Sequence, residues 1–356
     1  PMLEKDPLKQ GENFKYSAIM EVRPEFEVND YTGVPVEKEK LIVTEKDVDD
    51  RLQEIRESSG KLESIEEDRP IQDDDFVVIE YEGFENGEPI EGAKSSNQLI
   101  RVGKNDFHPT FDETLIGAKK GENPEIHVDF EADHYHTKLA GKSVTFKTSV
   151  VDIKELKLPD VTDEFAKGLG ADFDDLEGLK AEIRKNLTTQ EEERVDRELK
   201  GRLLEKINEG VNIELPQVLV DAELQSSLER FKNSLKMRGS SLEATGISEN
   251  KSAEEMRPAS EKRVKEMLIL GQIARQAEIA LTDEDLEDGY RKLAERTGQD
   301  IDTLKKVYEA RSQVDSLKDH LLEEKTLNYL VEHAKISEKE KGELSQEKPI
   351  EEVENS

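Results

Sequence analysis

No cysteine occurs among the 356 residues. Disulfides and thiol chemistry are therefore excluded, and a reducing compartment is compatible. No apolar run approaches the ~18 residues a membrane-spanning helix needs. No G-x-x-x-x-G-K-S/T segment is present, so the phosphate-cradling loop of an ATP site is not expected. No Ser/His/Asp arrangement stands out for hydrolysis. Positive charge is also scarce: 52 Lys and Arg stand against 84 Asp and Glu, a net charge of −32. Such a field repels phosphate backbones and anionic membrane surfaces, which argues against nucleic acid and membrane as partners. High charge keeps a chain dispersed while it handles sticky material; the plainer reading is solvated helix faces. The first residue is Pro1 rather than Met. The expectation is that the natural N-terminus lies upstream, so the lack of a signal peptide carries no weight.

The length allows about two or three domains. Residues 73–154 carry strand character in three runs, Phe76–Tyr81, Glu125–Phe130 and Ser143–Ile153, rich in β-branched and aromatic residues. Asn86-Gly87 signals a tight hairpin, since both residues tolerate positive φ. The spacing predicts a short helix over Thr110–Ala118, with Phe111, Leu115 and Ala118 on one face and Gly117 or Gly121 ending it. Asp73-Asp74-Asp75 lacks the glycine and distal glutamate of a calcium loop and reads as a solvated approach to the first strand. His134 and His136 form H-x-H; a shared metal is one reading, exposed loop histidines the other.

Upstream, Phe14–Val22 alternates like a strand whose partners are expected before Pro1. Thr44–Ser58 reads as a helix, capped by Thr44 with Asp47 at the capping-box position, striped by Val48, Leu52 and Ile55, and ended by Ser59-Gly60. Beyond Ile153 the period becomes helical. Leu176, Leu179, Ile183 and Leu187 continue into Val195, Leu199, Leu203 and Ile207. A second helix is expected after Pro216 and a loop over Gly239–Ser252. Val264–Ile273 is expected to be buried. Further helices are marked by Thr282 with Asp285, by Leu304 to Tyr308 and by Val314 to Leu327. Ser337–Ser356 reads as a disordered tail. The stripes are narrow and the helices long, so apolar grooves open to a partner are one expectation and ordinary bundle packing the other.

Several motifs occur in a set order: V-I-E-Y-E-G (78–83), V-G-K (102–104), P-T-F-D-E-T-L-I-G (109–117), K-K-G-E (119–122), Tyr135-His136, L-A-G-K (139–142) and T-F-K (145–147). As a set they resemble the FKBP-type peptidyl-prolyl isomerases, in which a bent sheet wraps one short helix. Taken with F-K-Y-S-A-I-M-E-V-R-P-E-F-E-V (14–28), T-E-K-D-V-D-D-R-L (44–52), L-P-D-V-T-D-E-F-A-K (158–167), L-K-A-E-I-R-K-N-L (179–187) and I-E-L-P-Q-V-L-V-D-A-E (213–223), the chain resembles the bacterial trigger factor family from about residue 12 to 337. The resemblance implies an α+β chain: an FKBP-like bent antiparallel sheet with one short helix, then a mostly α-helical domain with extended arms. Its expected segments are a remnant of an N-terminal ribosome-binding domain (1–36), a linker with a helix (37–72), the isomerase domain (73–154), a helical substrate-binding domain (155–336) and an acidic tail (337–356). The family's basic G-F-R-x-x-K-type loop is absent and would lie upstream of Pro1, so this chain is expected to lack the main ribosome contact.

The resemblance further implies a cytoplasmic, ATP-independent chaperone without cofactor or metal. Its partners would be unfolded or nascent polypeptides, with the ribosome reached only through the missing N-terminal part; a homodimer stays open. Carried over by position, Tyr81, Phe107, Phe111, Tyr135 and Phe146 would wall a proline pocket with Phe111 as its floor. Glu91 would orient the substrate backbone and Tyr135 would hydrogen-bond a substrate carbonyl. An apolar pocket needs no nucleophile: amide resonance sets the barrier of ~18–20 kcal/mol, and surroundings that favour the twisted imide over the planar one lower it. Core packing is the competing reading for Tyr81, Phe111 and Phe146, and a bystander role for Glu91. Ile90 and Gln98 stand where this family usually has aromatics, and His108 replaces a common aliphatic. Those departures imply a slower or choosier pocket, and a binding-only holdase is the alternative function.

Overall fold

The computed structural model describes residues 2–5 and 16–19 by backbone, and 22, 24–105, 107–131, 139–170, 173–238, 240–242 and 247–344 in full. In chain order the elements are β1 (Met2–Lys5), β2 (Tyr16–Ile19), β3 (Pro35–Glu39), α1 (Glu45–Ser58), β4 (Lys61–Ser64), β5 (Phe76–Glu85), β6 (Glu88–Arg101), α2 (Pro109–Leu115), β7 (Glu125–Asp129) and β8 (Ser143–Lys157). There follow α3 (Asp163–Gly168), α4 (Leu176–Glu209), α5 (Gln217–Met237), α6 (Glu249–Gln276), α7 (Asp283–Thr297), α8 (Ile301–Ala310), α9 (Val314–Glu332) and β9 (Lys335–Lys339). By packing, the chain divides into two units, residues 43–189 and residues 1–42 with 190–356. The five segments expected from the sequence follow pattern; these two follow packing.

In the unit 43–189 the sheet runs β4-β8-β5-β6, with β7 also on β8, and every pairing is antiparallel. Alternation on β8 turns Val144, Phe146, Thr148 and Val150 inward. They meet Phe111 and Leu115 of α2, both fully buried, with Ile79, Ile100 and Ile126. The bent sheet on one short helix is thus present. Pairing slips between Ile79 and Tyr81 on the β6 side and between Val78 and Ile79 on the β8 side; such bulges bend a strand and re-aim its side chains. Asn86 (φ 52) and Gly87 (φ 87) form the two-residue turn between β5 and β6, as the pair predicts.

Two strands of this sheet escaped the sequence reading. β6 is polar because it pairs only with β5, and just Ala93 and Ile100 are buried along it. β4 is exposed throughout. The solvated reading of the aspartate triplet holds for Asp73 and Asp74 but not for Asp75. Asp75 is buried, takes Arg69 in a bidentate pair at 2.6 and 2.8 Å, and accepts from the Gln72 amide. A second core joins Val48 and Leu52 of α1 to Ala166 of α3 and Leu179 and Ile183 of α4. Thr44 and Asp47 close the expected capping box on α1.

In the other unit, β1 pairs with β2. The partner expected upstream of Pro1 is therefore supplied by Met2–Lys5. Val28, Val36, Leu203, Ile207, Ile269 and Leu330 share a core. Pro216 caps α5, and Gly298 ends α7 in the left-handed region. The loop expected over Gly239–Ser252 is shorter, because Ser248 caps α6 and the helix begins at Glu249. The tail expected from Ser337 is also corrected: Lys335–Lys339 pairs in parallel with Pro35–Glu39. Its K-I-S-E-K sequence is nearly all exposed, so backbone pairing rather than side-chain burial defines it. Residues 345–356 lie outside the described residues.

Glu39 at the end of β3 is 1% exposed. Its carboxylate accepts from Arg194 of α4 at 2.7 Å and from the Gly342 amide at 2.9 Å. Arg194 also binds Glu191 and Glu198, and Lys341 reaches Glu191 at 2.9 Å. Residues far apart in sequence are thus held by one guanidinium.

Candidate active site

Separate elements bring four rings together. β5 supplies Tyr81, α2 supplies Phe111, β8 supplies Phe146, and the segment before α2 supplies Phe107. Centroids lie 4.5 Å apart for Phe107 and Phe111, 5.2 Å for Phe111 and Phe146, 5.3 Å for Tyr81 and Phe107, and 5.7 Å for Tyr81 and Phe146. All four pairs are tilted or edge-on, the arrangement that ring quadrupoles favour. Exposure is graded: Phe111 and Phe146 are buried, Tyr81 is half-buried, and Phe107 is 37% exposed. The group therefore has an interior side and a rim. Phe111 and Phe146 also belong to the sheet's core, so core packing and pocket wall are the same contacts for them.

Of the six residues singled out from the sequence, these four meet. Glu91 is exposed on β6, where pairing slips from Glu82–Lys94 to Phe84–Pro89. Tyr135 lies outside the described residues, as do His134 and His136. A fifth ring was missed. Phe130 follows β7 and stands 6.3 Å from Phe146 and 5.8 Å from His108. Buried Ile126 and Val128 alternate toward it, so the period-two pattern carried the signal. His108 caps α2 by accepting from the Thr110 amide. Ile90 packs partly buried against the core, and Gln98 is half-buried opposite Ile79.

Gly83 shows how closely the β5 backbone passes this group. A Cβ there would stand 2.9 Å from Ala93 and 3.0 Å from the Phe146 ring. Gly83→Ala must therefore shift Ala93, the Phe146 ring or the β5 backbone beside them. The expected outcome is a roughly tenfold fall in kcat/KM for a prolyl tetrapeptide, equivalent to about 1.4 kcal/mol. A parent-like rate in this variant would separate this packing from catalysis.

In the helical part, a cavity of about 360 Å³ between α7, α8 and α9 is lined by Leu293, Leu317, Leu321 and Tyr308 with Arg296 and His320. A smaller one of about 190 Å³ lies between α6 and α9, beside Met267, Leu268 and Leu322. Val218 and Met237 of α5 are exposed, the latter by 91%. Among the described residues no group of three or more His, Asp or Glu is placed to hold a metal ion, and no helix is long and apolar enough to cross a membrane.

Comparison with known proteins locates these features. The family model for FKBP-type peptidyl-prolyl cis-trans isomerase matches residues 67–155. The models for bacterial trigger factor protein and for the bacterial trigger factor C-terminus match residues 1–55 and 175–332. The N-terminal match runs through the expected 1–36 remnant and into α1, so the expectation that most of that domain is lacking is not supported. The chain is 35% identical over 345 residues to a trigger factor of Geotalea uraniireducens, covering 97% of this chain and 79% of that protein. It is 32% identical to one of Halalkalibacterium halodurans, covering 94% and 78%. A solved structure described under promiscuous substrate recognition by the trigger factor chaperone aligns at 27% identity, over 87% of this chain and 73% of that one, with a TM-score of 0.48.

Proposed function

The chain belongs to the trigger factor family and carries an FKBP-type peptidyl-prolyl cis-trans isomerase domain, and from that premise we propose that the rings of Tyr81, Phe107, Phe111 and Phe146 receive the substrate proline. One observation carries this reading: four aromatic side chains from four parts of the chain converge with centroids 4.5–6.4 Å apart, graded from buried to exposed. A planar X-Pro imide is stabilised by resonance with charge separation, and water supports that separation. In the twisted transition state the charge separation is lost. A ring-lined site that excludes water therefore favours the twisted form, and each ~1.4 kcal/mol of that preference is a factor of ten in rate. No acid, base or metal takes part in this scheme.

Residues 73–154 are the isomerase domain in this reading, and residues 155–336 hold unfolded or nascent polypeptide. The cavities and exposed side chains of α5 to α9 support the second assignment. The protein is an ATP-independent chaperone of the cytoplasm. With the family's N-terminal segment present at 1–55, the ribosome stays among its proposed partners. Tyr135 and Glu91 are proposed to orient the substrate backbone. The alternative, a holdase with a weak pocket, is favoured by Gln98, a half-buried polar side chain opposite Ile79.

Cis/trans exchange of a prolyl tetrapeptide, measured with the full chain, decides between them. Acceleration is expected at catalytic concentrations. An exchange rate equal to that in buffer, together with suppressed aggregation of an unfolded client, would leave only the holdase.

A further inference from the structure

Asp112 sits in the first turn of α2, beside Phe111, and is 4% exposed. It has no cationic partner among the described residues. Its Oδ2 instead accepts from two backbone amides of the preceding turn, Gly103 at 2.9 Å and Asn105 at 2.8 Å. Its Oδ1 is buried with no hydrogen-bond partner. A carboxylate held out of water with an orphaned oxygen costs free energy, and a native fold that retains one asks for a reason.

The turn supplies that reason. Gly103 and Asn105 both have positive φ, 88° and 56°, which glycine and asparagine tolerate better than other residues, so the sequence permits the turn and Asp112 ties it down. The root of the turn is tied by Val102 N–H to the Asp75 carbonyl at 2.9 Å. Its far side is tied by Asp112. Only three residues, 106–108, separate Asn105 from Pro109, where α2 begins. Anchoring Asn105 to α2 therefore fixes both ends of the short span that carries Phe107. Burial alone does not fix that ring, since it is the most exposed of the four. It nevertheless stands 4.5 Å from Phe111 and 5.3 Å from Tyr81.

We propose that Asp112 is a positioning residue for proline isomerisation: by binding the Gly103 and Asn105 amides it sets the Phe107 ring as the outer wall of the site. This rests on the reading of the four rings as the isomerase pocket. Asp112 acts through Phe107 and touches no substrate.

A double-mutant cycle tests it, with tetrapeptide kcat/KM measured on the full chain well below each variant's melting temperature. Asp112→Ala is expected to lose about tenfold. Asp112→Asn, whose carbonyl oxygen still accepts both amides, is expected to recover at least about a third of the parent rate. Phe107→Ala is expected to lose about tenfold, and adding Asp112→Ala to it should cost less than about twofold more. Non-additivity of this kind marks residues acting through one another. If Asp112→Ala does not fold, Asp112→Ser, which is too short to span both amides, takes its place in the cycle. Additive losses, or a parent-like rate in the Ala or Ser variant, overturn the proposal while leaving the pocket in place. A parent chain that does not accelerate exchange overturns both.

Discussion

Phe111→Ala is expected to remove about 99% of the isomerase activity, a fall of roughly 100-fold or about 2.7 kcal/mol. The ring is fully buried and within 6.3 Å, centroid to centroid, of Tyr81, Phe107 and Phe146. Its loss removes the surface on which the other three are arranged. The same deletion opens a hole in the core and should cost about 3–5 kcal/mol of stability. That weakens the domain but leaves it folded if it lies in the usual range of about 5–15 kcal/mol. Phe111→Leu separates the two effects. It keeps most of the volume, so its stability cost should stay under about 1.5 kcal/mol, yet it removes the ring edges. We expect it to lose about tenfold in kcat/KM. Suppression of client aggregation, assigned to the helical part, should be unchanged in both variants. A Phe111→Leu chain that isomerises at the parent rate would show that these rings pack a core and do nothing more.

Arg194→Ala should destabilise the unit formed by 1–42 and 190–356 by about 3 kcal/mol. Removing one partner of a buried ion pair leaves the other charge uncompensated. Here Glu39, with its side chain 2% exposed, loses its guanidinium, while Glu191 is left with Lys341 and Glu198 with Arg202. Arg194→Lys should recover only part of the loss, because an ammonium cannot replace the planar fork that reaches three carboxylates. The measurement is a denaturant melt followed with a probe in this unit; an unchanged midpoint would discount the network.

The same residues predict acid sensitivity. The hydrogen bond from Arg194, helped by Lys341, holds the Glu191 carboxyl down at about 2 from an ordinary 4.5. The hydrogen bond from Arg194 also lowers Glu39, against its burial, with help from the Gly342 amide. A depressed carboxyl contributes its stability fully above the unfolded value and loses it as pH falls through the folded one. The unit should therefore weaken between pH ~4.5 and ~2, and the Arg194→Ala variant should show less of that slope.

Much of this was legible because it depends on neighbours in sequence. The Thr44–Asp47 and Thr282–Asp285 boxes use a fixed three-residue spacing, and Asn86-Gly87 needs only positive φ. All six candidate residues came from the order of short motifs, and four of them, Tyr81, Phe107, Phe111 and Phe146, lie together. Phe130 was missed although the alternation of β7 pointed to it. Three features had no local signature. β6 is a strand because β5 lies beside it, since its own sequence is polar. β9 is a strand because β3 lies beside it, 300 residues earlier. Asp75 read as surface charge and no local pattern singled out Asp112; only their surroundings make them buried ties.

The amino-acid order alone marked most of the long helices and the capped starts at Thr44 and Thr282, because periodicity, capping and turn chemistry act over a few residues, while the candidate rings came from the resemblance in motif order. Which rings meet, which aspartates are enclosed and which distant strands pair was decided by folding, because burial and hydrogen bonding depend on what the rest of the chain brings alongside.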